Sequence, residues 1–164
     1  VGVAMHEARE IARAFLIESE VDYRISQLLS GTEYHSRTIY FVQQAVEKIV
    51  KACLSLKNIR TVDHNLSALF AAVYQENFRN MDDLVRGIDS LERHGARVRF
   101  PLFQRPDLPI WIPSRSYTEG DAGRAMRTGE VVYGALKAYL DQVLSDPGTA
   151  AQPSPPPPAR LPGR

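Results

Sequence analysis

The sequence predicts an all-α protein, an up-and-down bundle of four to five helices that contains one long antiparallel hairpin. Apolar residues recur every three or four positions in several long segments, which indicates amphipathic helices. No segment of useful length shows the strict alternation of a half-buried strand. A chain of 164 residues, 44% of them hydrophobic, is long enough for one domain with its own core.

Two long helical patterns open the chain and predict the hairpin. The first runs from about Met5 to Leu29, and the second from residue 32 or 33 to about Lys57. Gly31 suits a C-terminal cap because glycine adopts the left-handed conformation at little cost. Helices joined by so short a loop pack antiparallel. The apolar face expected for the first helix comprises Ile11, Phe15, Val21, Ile25, Leu28 and Leu29.

Further helical patterns cover roughly residues 65–75, 81–93 and 121–144. Asp63 or Asn65 is a candidate cap for the first of these, since short polar side chains accept hydrogen bonds from the first turn of a helix. Gly95 ends the second. Four prolines between residues 95 and 119 exclude a long helix there, and ordered loops of this length are often functional.

The chain divides into two parts by composition. Residues 5–145 carry the helical patterns and form the predicted domain. Residues 146–164 are rich in Pro, Ala, Ser and Gly, with four consecutive prolines, and predict a disordered tail.

Composition limits the classes of function. The net charge is +1, so a basic site must come from local clustering. The single cysteine, Cys53, permits no internal disulfide and suits a reducing compartment, so a cytoplasmic location is expected. No apolar run reaches the length of a membrane helix. The four histidines lack metal-ligand spacing and no glycine-rich phosphate loop is present, so neither a metal nor a cofactor is expected.

The second predicted helix carries a polar edge along its length, whereas its other faces are mainly apolar. It consists of Glu47, Lys48 and Lys51. These residues form either a solvated surface or the edge of a site. The second alternative is considered because lysine is a common partner of phosphate. Asp22 falls inside the apolar face of the first helix, where a carboxylate needs a partner. It is either a structural acid or part of a polar cleft, and Lys48 or Lys51 is its natural partner.

The proline-containing loop and its flanks concentrate arginine and aromatic residues. Arginine beside aromatic rings can hold phosphates and stack bases, which makes Arg97 and Arg99 candidate ligand-binding residues. The alternative is that the aromatic rings plug the bundle while the arginines are solvated. The seven arginines between residues 93 and 127 are Arg93, Arg97, Arg99, Arg105, Arg115, Arg124 and Arg127.

Two histidines are candidates for acid–base chemistry. His64 precedes the third helix and His94 follows the fourth. Imidazole titrates near neutral pH and could act there, although capping or pairing would also explain both positions. Arg86, on the fourth predicted helix, is a third candidate catalytic residue beside His64 and His94.

The order of several segments resembles the HEPN domain family of small helical domains. The most specific of them is 41–52, and the resemblance covers roughly residues 8–144. The segments are Asp22-Tyr23, residues 28–34 (LLSGTEY), residues 41–52 (FVQQAVEKIVKA), Asp63-His64-Asn65-Leu66, Arg99-Phe100-Pro101 and Tyr117 with the last helix.

This resemblance implies a bundle similar to the substrate-binding domains associated with nucleotidyltransferases. It also implies a homodimer with a polar cleft. HEPN domains are often partnered with small nucleotidyltransferases in toxin–antitoxin or defence-type pairs. Some members are metal-independent ribonucleases, and others are thought to bind nucleotides without cleaving RNA.

The ribonuclease members carry Arg followed by four to six residues and then His, which this chain lacks. Three residues separate Arg60 from His64, and seven separate Arg86 from His94. Whether the chain is an enzyme therefore stays open. We expect a protein that binds nucleotide or RNA phosphate with a partner, and the alternatives are a metal-independent endoribonuclease and a purely structural interaction module. The predicted cleft residues are Asp22, Glu47, Lys48, Lys51, Arg97 and Arg99.

Overall fold

The computed structural model describes residues 7–146, and the all-α class is confirmed. Within this range the regular structure is helical apart from one isolated β-bridge. A short 3₁₀ helix, Gly95–Val98, lies between the fourth and fifth α-helices. The α-helices are α1 (Ala8–Leu29), α2 (His35–Leu56), α3 (Ser67–Tyr74), α4 (Met81–Glu92), α5 (Pro113–Ser116) and α6 (Glu119–Ser145).

The predicted hairpin of α1 and α2 is present. Gly31 has a φ of 82°, as expected for the residue that ends α1, and the N–H of Ser30 donates to the carbonyl of Ser26. The second helix starts at His35 rather than at residue 32 or 33. Thr32 accepts a hydrogen bond from the N–H of Tyr34, and this turn delays the helix.

The face of α1 that packs on α2 agrees only in part with the predicted one, since Asp22 is buried and Phe15 packs against the core. Val21 is 47% exposed and Leu28 is 78% exposed, although both were expected to be buried. Small side chains on the inner face let two helices approach closely, and the hydroxyls of Ser19 and Ser26 donate to carbonyls within α1. The buried residues of α1 are Ala12, Ser19, Asp22 and Ser26.

Helix α2 lies at the centre of the bundle, with α1, α4 and α6 packed around it. Helix α6 runs beside it in the same direction, and Gly129 sits against Val42. Cys53 is fully buried. No helix in residues 7–146 is long and apolar enough to cross a membrane.

The start of α3 is capped from another helix. Neither Asp63 nor Asn65 provides a side-chain cap, so that prediction was wrong. The carboxylate of Glu92, at the end of α4, accepts hydrogen bonds from the N–H groups of Leu66 and Ser67 instead. A residue 25 positions away thus satisfies the donors that a local cap ordinarily satisfies.

The segment between α4 and α6 contains no long helix, as predicted. Gly95 has a φ of 47° and begins the 3₁₀ helix, three residues after α4 ends at Glu92. Leu102 and Trp111 form an antiparallel bridge with both backbone hydrogen bonds. Helix α6 begins with a capping box between Thr118 and Asp121, two residues before the predicted start. The predicted tail, apart from Asp146, lies outside the described residues, as does the predicted start of α1 at Met5.

Candidate functional site

Asp22 and Lys48 form an ion pair between α1 and α2. Their Oδ2 and Nζ atoms are 2.5 Å apart, and the two side chains are 11% and 28% exposed. Asp22 lies on the inner face of α1 because the neighbouring inner positions are small, which leaves room for a carboxylate and its partner. Lys48 is therefore not part of a freely solvated surface.

One carboxylate oxygen of Glu47 accepts hydrogen bonds from two side chains. Its Oε1 atom is 2.9 Å from the Nζ atom of Lys51 and 2.9 Å from the Nδ1 atom of His64. Glu47 and Lys51 are nine-tenths buried, whereas the His64 side chain is 73% exposed. When Nδ1 carries the proton, it donates to Glu47 and leaves Nε2 as the acceptor, which is the form that a general base requires.

Arg97 lies against the indole of Trp111. Its guanidinium carbon is 4.2 Å from the ring centroid, and the indole Nε1 donates to the backbone carbonyl of Arg97 at 2.8 Å. The Tyr117 ring meets Trp111 edge-on. These contacts place a planar cation at a defined position on the outer surface of the loop.

Arg99 lies two residues farther along the loop, between two other rings. Its guanidinium carbon is 5.3 Å from the centroid of Phe100 and 6.0 Å from that of Tyr40 on α2. The loop is held near α2 there by a long hydrogen bond from Arg37 to the carbonyl of Val98. Among residues 7–146, no carboxylate forms an ion pair with Arg97 or Arg99.

His94 and Arg86, the other catalytic candidates, lie apart from each other. The Nδ1 atom of His94 is 3.0 Å from the hydroxyl of Tyr117, and burial lowers the pKa of this imidazole. Asp121 opposes that lowering of the His94 pKa, and the charge of Arg97 adds to it. Arg86 is exposed on α4, where it pairs with Asp83.

The predicted cleft residues fall into two groups on the structure. The first group lies on α1 and α2, where Asp22 pairs with Lys48 and Glu47 contacts Lys51 and His64. The second group is Arg97 and Arg99, on the loop near Tyr40. Tyr40 and Glu47 are seven residues apart on α2, which puts them on one face at an axial separation of about 10 Å. Gln44 and Lys51 share that face. The four residues form what we call the α2 edge: Tyr40, Gln44, Glu47 and Lys51.

Tyr40 was not singled out in the sequence. The signal that could have found it is its helical register, because it precedes Glu47 by two turns on the same edge. Glu92 was also missed, and no local pattern links it to the start of α3. Within the described residues, no group of three or more His, Cys, Asp or Glu side chains could hold a metal ion.

Comparisons with known proteins agree on one family. The HEPN domain family matches residues 5–139. A protein named "Putative toxin MJ1304", from Methanocaldococcus jannaschii, is 30% identical over 137 residues, which cover 80% of this chain and 89% of that protein. The crystal structure of ST0689, an archaeal HEPN homologue, superposes with a TM-score of 0.60 at 18% identity. The match covers 83% of this chain and 99% of the ST0689 chain.

Proposed function

The chain belongs to the HEPN domain family, and from this premise we propose that it binds the phosphate of a nucleotide or of RNA between the loop arginines and the α2 edge. Its role is that of a toxin-type protein working with a partner. The name of the Methanocaldococcus relative supports the toxin-type role.

The observation that carries this proposal is the environment of Arg97 and Arg99. Both are exposed, both lie on aromatic rings, and neither has a carboxylate partner among residues 7–146. Of the other arginines in the loop region, Arg93, Arg105 and Arg124 each pair with an aspartate. Arg115 and Arg127 are also exposed without an ion pair among residues 7–146, but unlike Arg97 and Arg99 they do not lie on an aromatic ring there. Unpaired guanidinium groups are free to bind phosphate in a bidentate manner.

The α2 edge extends this surface away from the loop. Arg99 lies beside Tyr40 at one end, and His64 contacts Glu47 near the other. Lys48 and Lys51 are neutralised by Asp22 and Glu47, so they position the edge more than they attract anions. A phosphate held by Arg99 therefore has neighbouring polar groups along α2 but not a second strongly basic patch.

The test is binding of a fluorescent single-stranded RNA to the wild type and to Arg97→Ala/Arg99→Ala. We expect the double variant to bind about tenfold more weakly or worse. Its log–log salt dependence should also be less steep by about 1.4, which is the loss of two phosphate contacts on a single strand.

Arg93→Ala is the matched control, because Arg93 is exposed nearby but paired with Asp89. Its affinity and salt slope should equal those of the wild type. Equal binding by the double variant and the wild type would contradict the proposed site. No binding of RNA or nucleotide by any form would favour the purely structural interaction module.

A metal-independent endoribonuclease is the second candidate, and the contact between Glu47 and His64 favours it. A carboxylate that orients Nδ1 leaves Nε2 available to take a proton from a ribose hydroxyl. The test is RNA cleavage in the presence of a chelator. His64→Gln should abolish such cleavage and His94→Gln should not, whereas cleavage that survives His64→Gln would exclude this role.

The partner and the homodimer are further parts of the proposal. Ile17, Val21 and Leu28 are exposed along α1, and this apolar stripe suits a contact with another protein chain. Analytical ultracentrifugation of the wild type and Val21→Asp tests the homodimer. A dimer that dissociates on this substitution supports α1 as the interface.

A small nucleotidyltransferase is the proposed partner, and co-purification from cells that express both proteins tests it.

A further inference from the structure

A hollow beside Trp111 lies next to the loop arginines. Its volume is about 490 Å³, within the range of small-molecule sites. Leu102, Leu108 and Ile110 supply apolar walls, and Arg97 and Gln104 supply polar groups. We call it the Trp111 hollow.

The hollow is held in shape by contacts within the loop. Two of its lining residues, Leu102 and Trp111, are joined by a backbone bridge with N···O distances of 3.0 and 2.9 Å. The indole Nε1 hydrogen bond to the carbonyl of Arg97 fixes the ring, and the edge of Tyr117 packs against it. A site with fixed walls loses little conformational entropy when a ligand enters.

We propose that the Trp111 hollow is a nucleobase subsite. A planar base stacks on the face of the Arg97 guanidinium, which itself lies on Trp111. The N–H edge of Arg97 and the guanidinium of Arg99 contact phosphates of the same nucleotide or of its neighbour. This inference rests on the proposed phosphate site, because the base subsite adds to the binding by Arg97 and Arg99. Gln104 has both a donor and an acceptor that can meet the edge of a base.

The chemistry of the hollow fits a base better than an aliphatic or anionic group alone. Arg105 also lines it but is neutralised by Asp107, so the uncompensated cation is Arg97. A guanidinium stacked on an aromatic ring presents a flat face, and bases stack on such faces with little regard to sequence. A base paired inside a duplex cannot enter, so the ligand class is a mononucleotide or single-stranded RNA.

Trp111 is the single tryptophan of the chain, so intrinsic fluorescence reports on this hollow. The experiment titrates the full chain with AMP, with ribose 5-phosphate and with inorganic phosphate. We expect AMP to quench Trp111 saturably. Ribose 5-phosphate, which lacks the base, should bind about tenfold more weakly and cause little quenching.

Arg97→Lys is the diagnostic variant. It keeps the positive charge and the backbone carbonyl that holds the indole, but it removes the planar face. AMP should bind about tenfold more weakly to this variant. Ribose 5-phosphate should lose much less affinity, because lysine keeps the positive charge beside the phosphate and no base stacking is lost. Phe103→Ala is the control, since Phe103 is an exposed ring of the same loop outside the lining, and it should leave AMP affinity unchanged.

The outcomes separate this inference from the phosphate site. Equal binding of AMP and ribose 5-phosphate, or binding of single-stranded RNA without quenching, would overturn the base subsite and leave the phosphate site standing. Unchanged AMP affinity in Arg97→Lys would also overturn it. No binding of RNA, AMP or ribose 5-phosphate would overturn both.

Discussion

Asp22 on α1 and Lys48 on α2 are joined by an ion pair of 2.5 Å in the interface of the two long helices. The carboxylate is the more deeply buried partner, with 11% of its side chain exposed against 28% for the lysine. Removing the lysine and removing the carboxylate should therefore lower the free energy of unfolding by different amounts.

Lys48→Met leaves the Asp22 carboxylate buried without its partner. We expect the free energy of unfolding to fall by about 2–3 kcal/mol, because a buried charge without a partner carries its full desolvation cost. Asp22→Asn should cost less, since the Lys48 ammonium can reach water. Urea denaturation of both variants and of Asp22→Asn/Lys48→Met gives the coupling energy, and simple additivity would contradict the pairing.

Gly129 permits the close approach of α6 to α2. A Cβ atom there would lie 2.1 Å from the Cγ2 atom of Val42, so Gly129→Ala must push the helices apart. We expect a loss of about 1–3 kcal/mol, which is typical of an overpacked core. Thermal unfolding measures it, and Val42→Ala in the same chain should recover part of the loss.

Gly134 on the same helix is the matched control. A Cβ atom there meets nothing within 4 Å. Gly134→Ala should therefore stabilise the protein by about 0.5–1 kcal/mol, because alanine has the higher helix propensity. Equal effects at the two glycines would show that helix propensity, and not packing, dominates.

Glu92 holds the first turn of α3 through its carboxylate. Glu92→Ala should lower the free energy of unfolding by about 1–2 kcal/mol, as for the loss of a helix cap. Faster hydrogen exchange at the Leu66 and Ser67 amides should accompany this loss. Glu92→Gln retains an acceptor oxygen and should lose less, and unchanged exchange in Glu92→Ala would contradict the capping role.

The same carboxylate predicts a pH dependence. Burial raises the pKa of Glu92 above that of an unfolded glutamate, although hydrogen bonds from Leu66 and Ser67 oppose this rise. Between the unfolded and the folded pKa, the folded protein binds more protons than the unfolded chain. This group therefore makes stability fall as pH rises through that interval. Glu92→Gln should remove that component from urea denaturation measured across acidic pH.

His94 predicts a change of the opposite sign. Burial lowers the pKa of His94, so the unfolded chain binds a proton where the folded protein does not. The contribution of His94 to stability is therefore lost as pH falls from the ordinary histidine range to the folded pKa. NMR titration of the imidazole measures this pKa. In Tyr117→Phe it should stay below the ordinary value because burial is the main cause, and a normal pKa would contradict this.

The sequence by itself determined the helical class, the hairpin and most helix ends. These follow from local rules: apolar spacing predicts the helices, Gly31 ends the first of them, Gly95 lies just beyond the end of α4, and proline excludes a long helix from the loop. It also indicated that Lys48 or Lys51 pairs with Asp22, because an antiparallel hairpin brings a buried acid opposite a lysine on its partner helix. The tertiary structure selected Lys48.

Only the tertiary structure decided which side chains from distant segments of the chain come into contact. The inner face of α1 was partly mispredicted: Phe15 packs inward as expected, but Val21 and Leu28 are exposed. The spacing alone does not tell which stripe meets α2, and close packing selected small residues there. Glu92 caps α3, and Arg97 stacks on Trp111, only because the chain folds back over 25 and 14 positions. Such contacts depend on how the helices and the loop are placed together, and no local pattern encodes that placement.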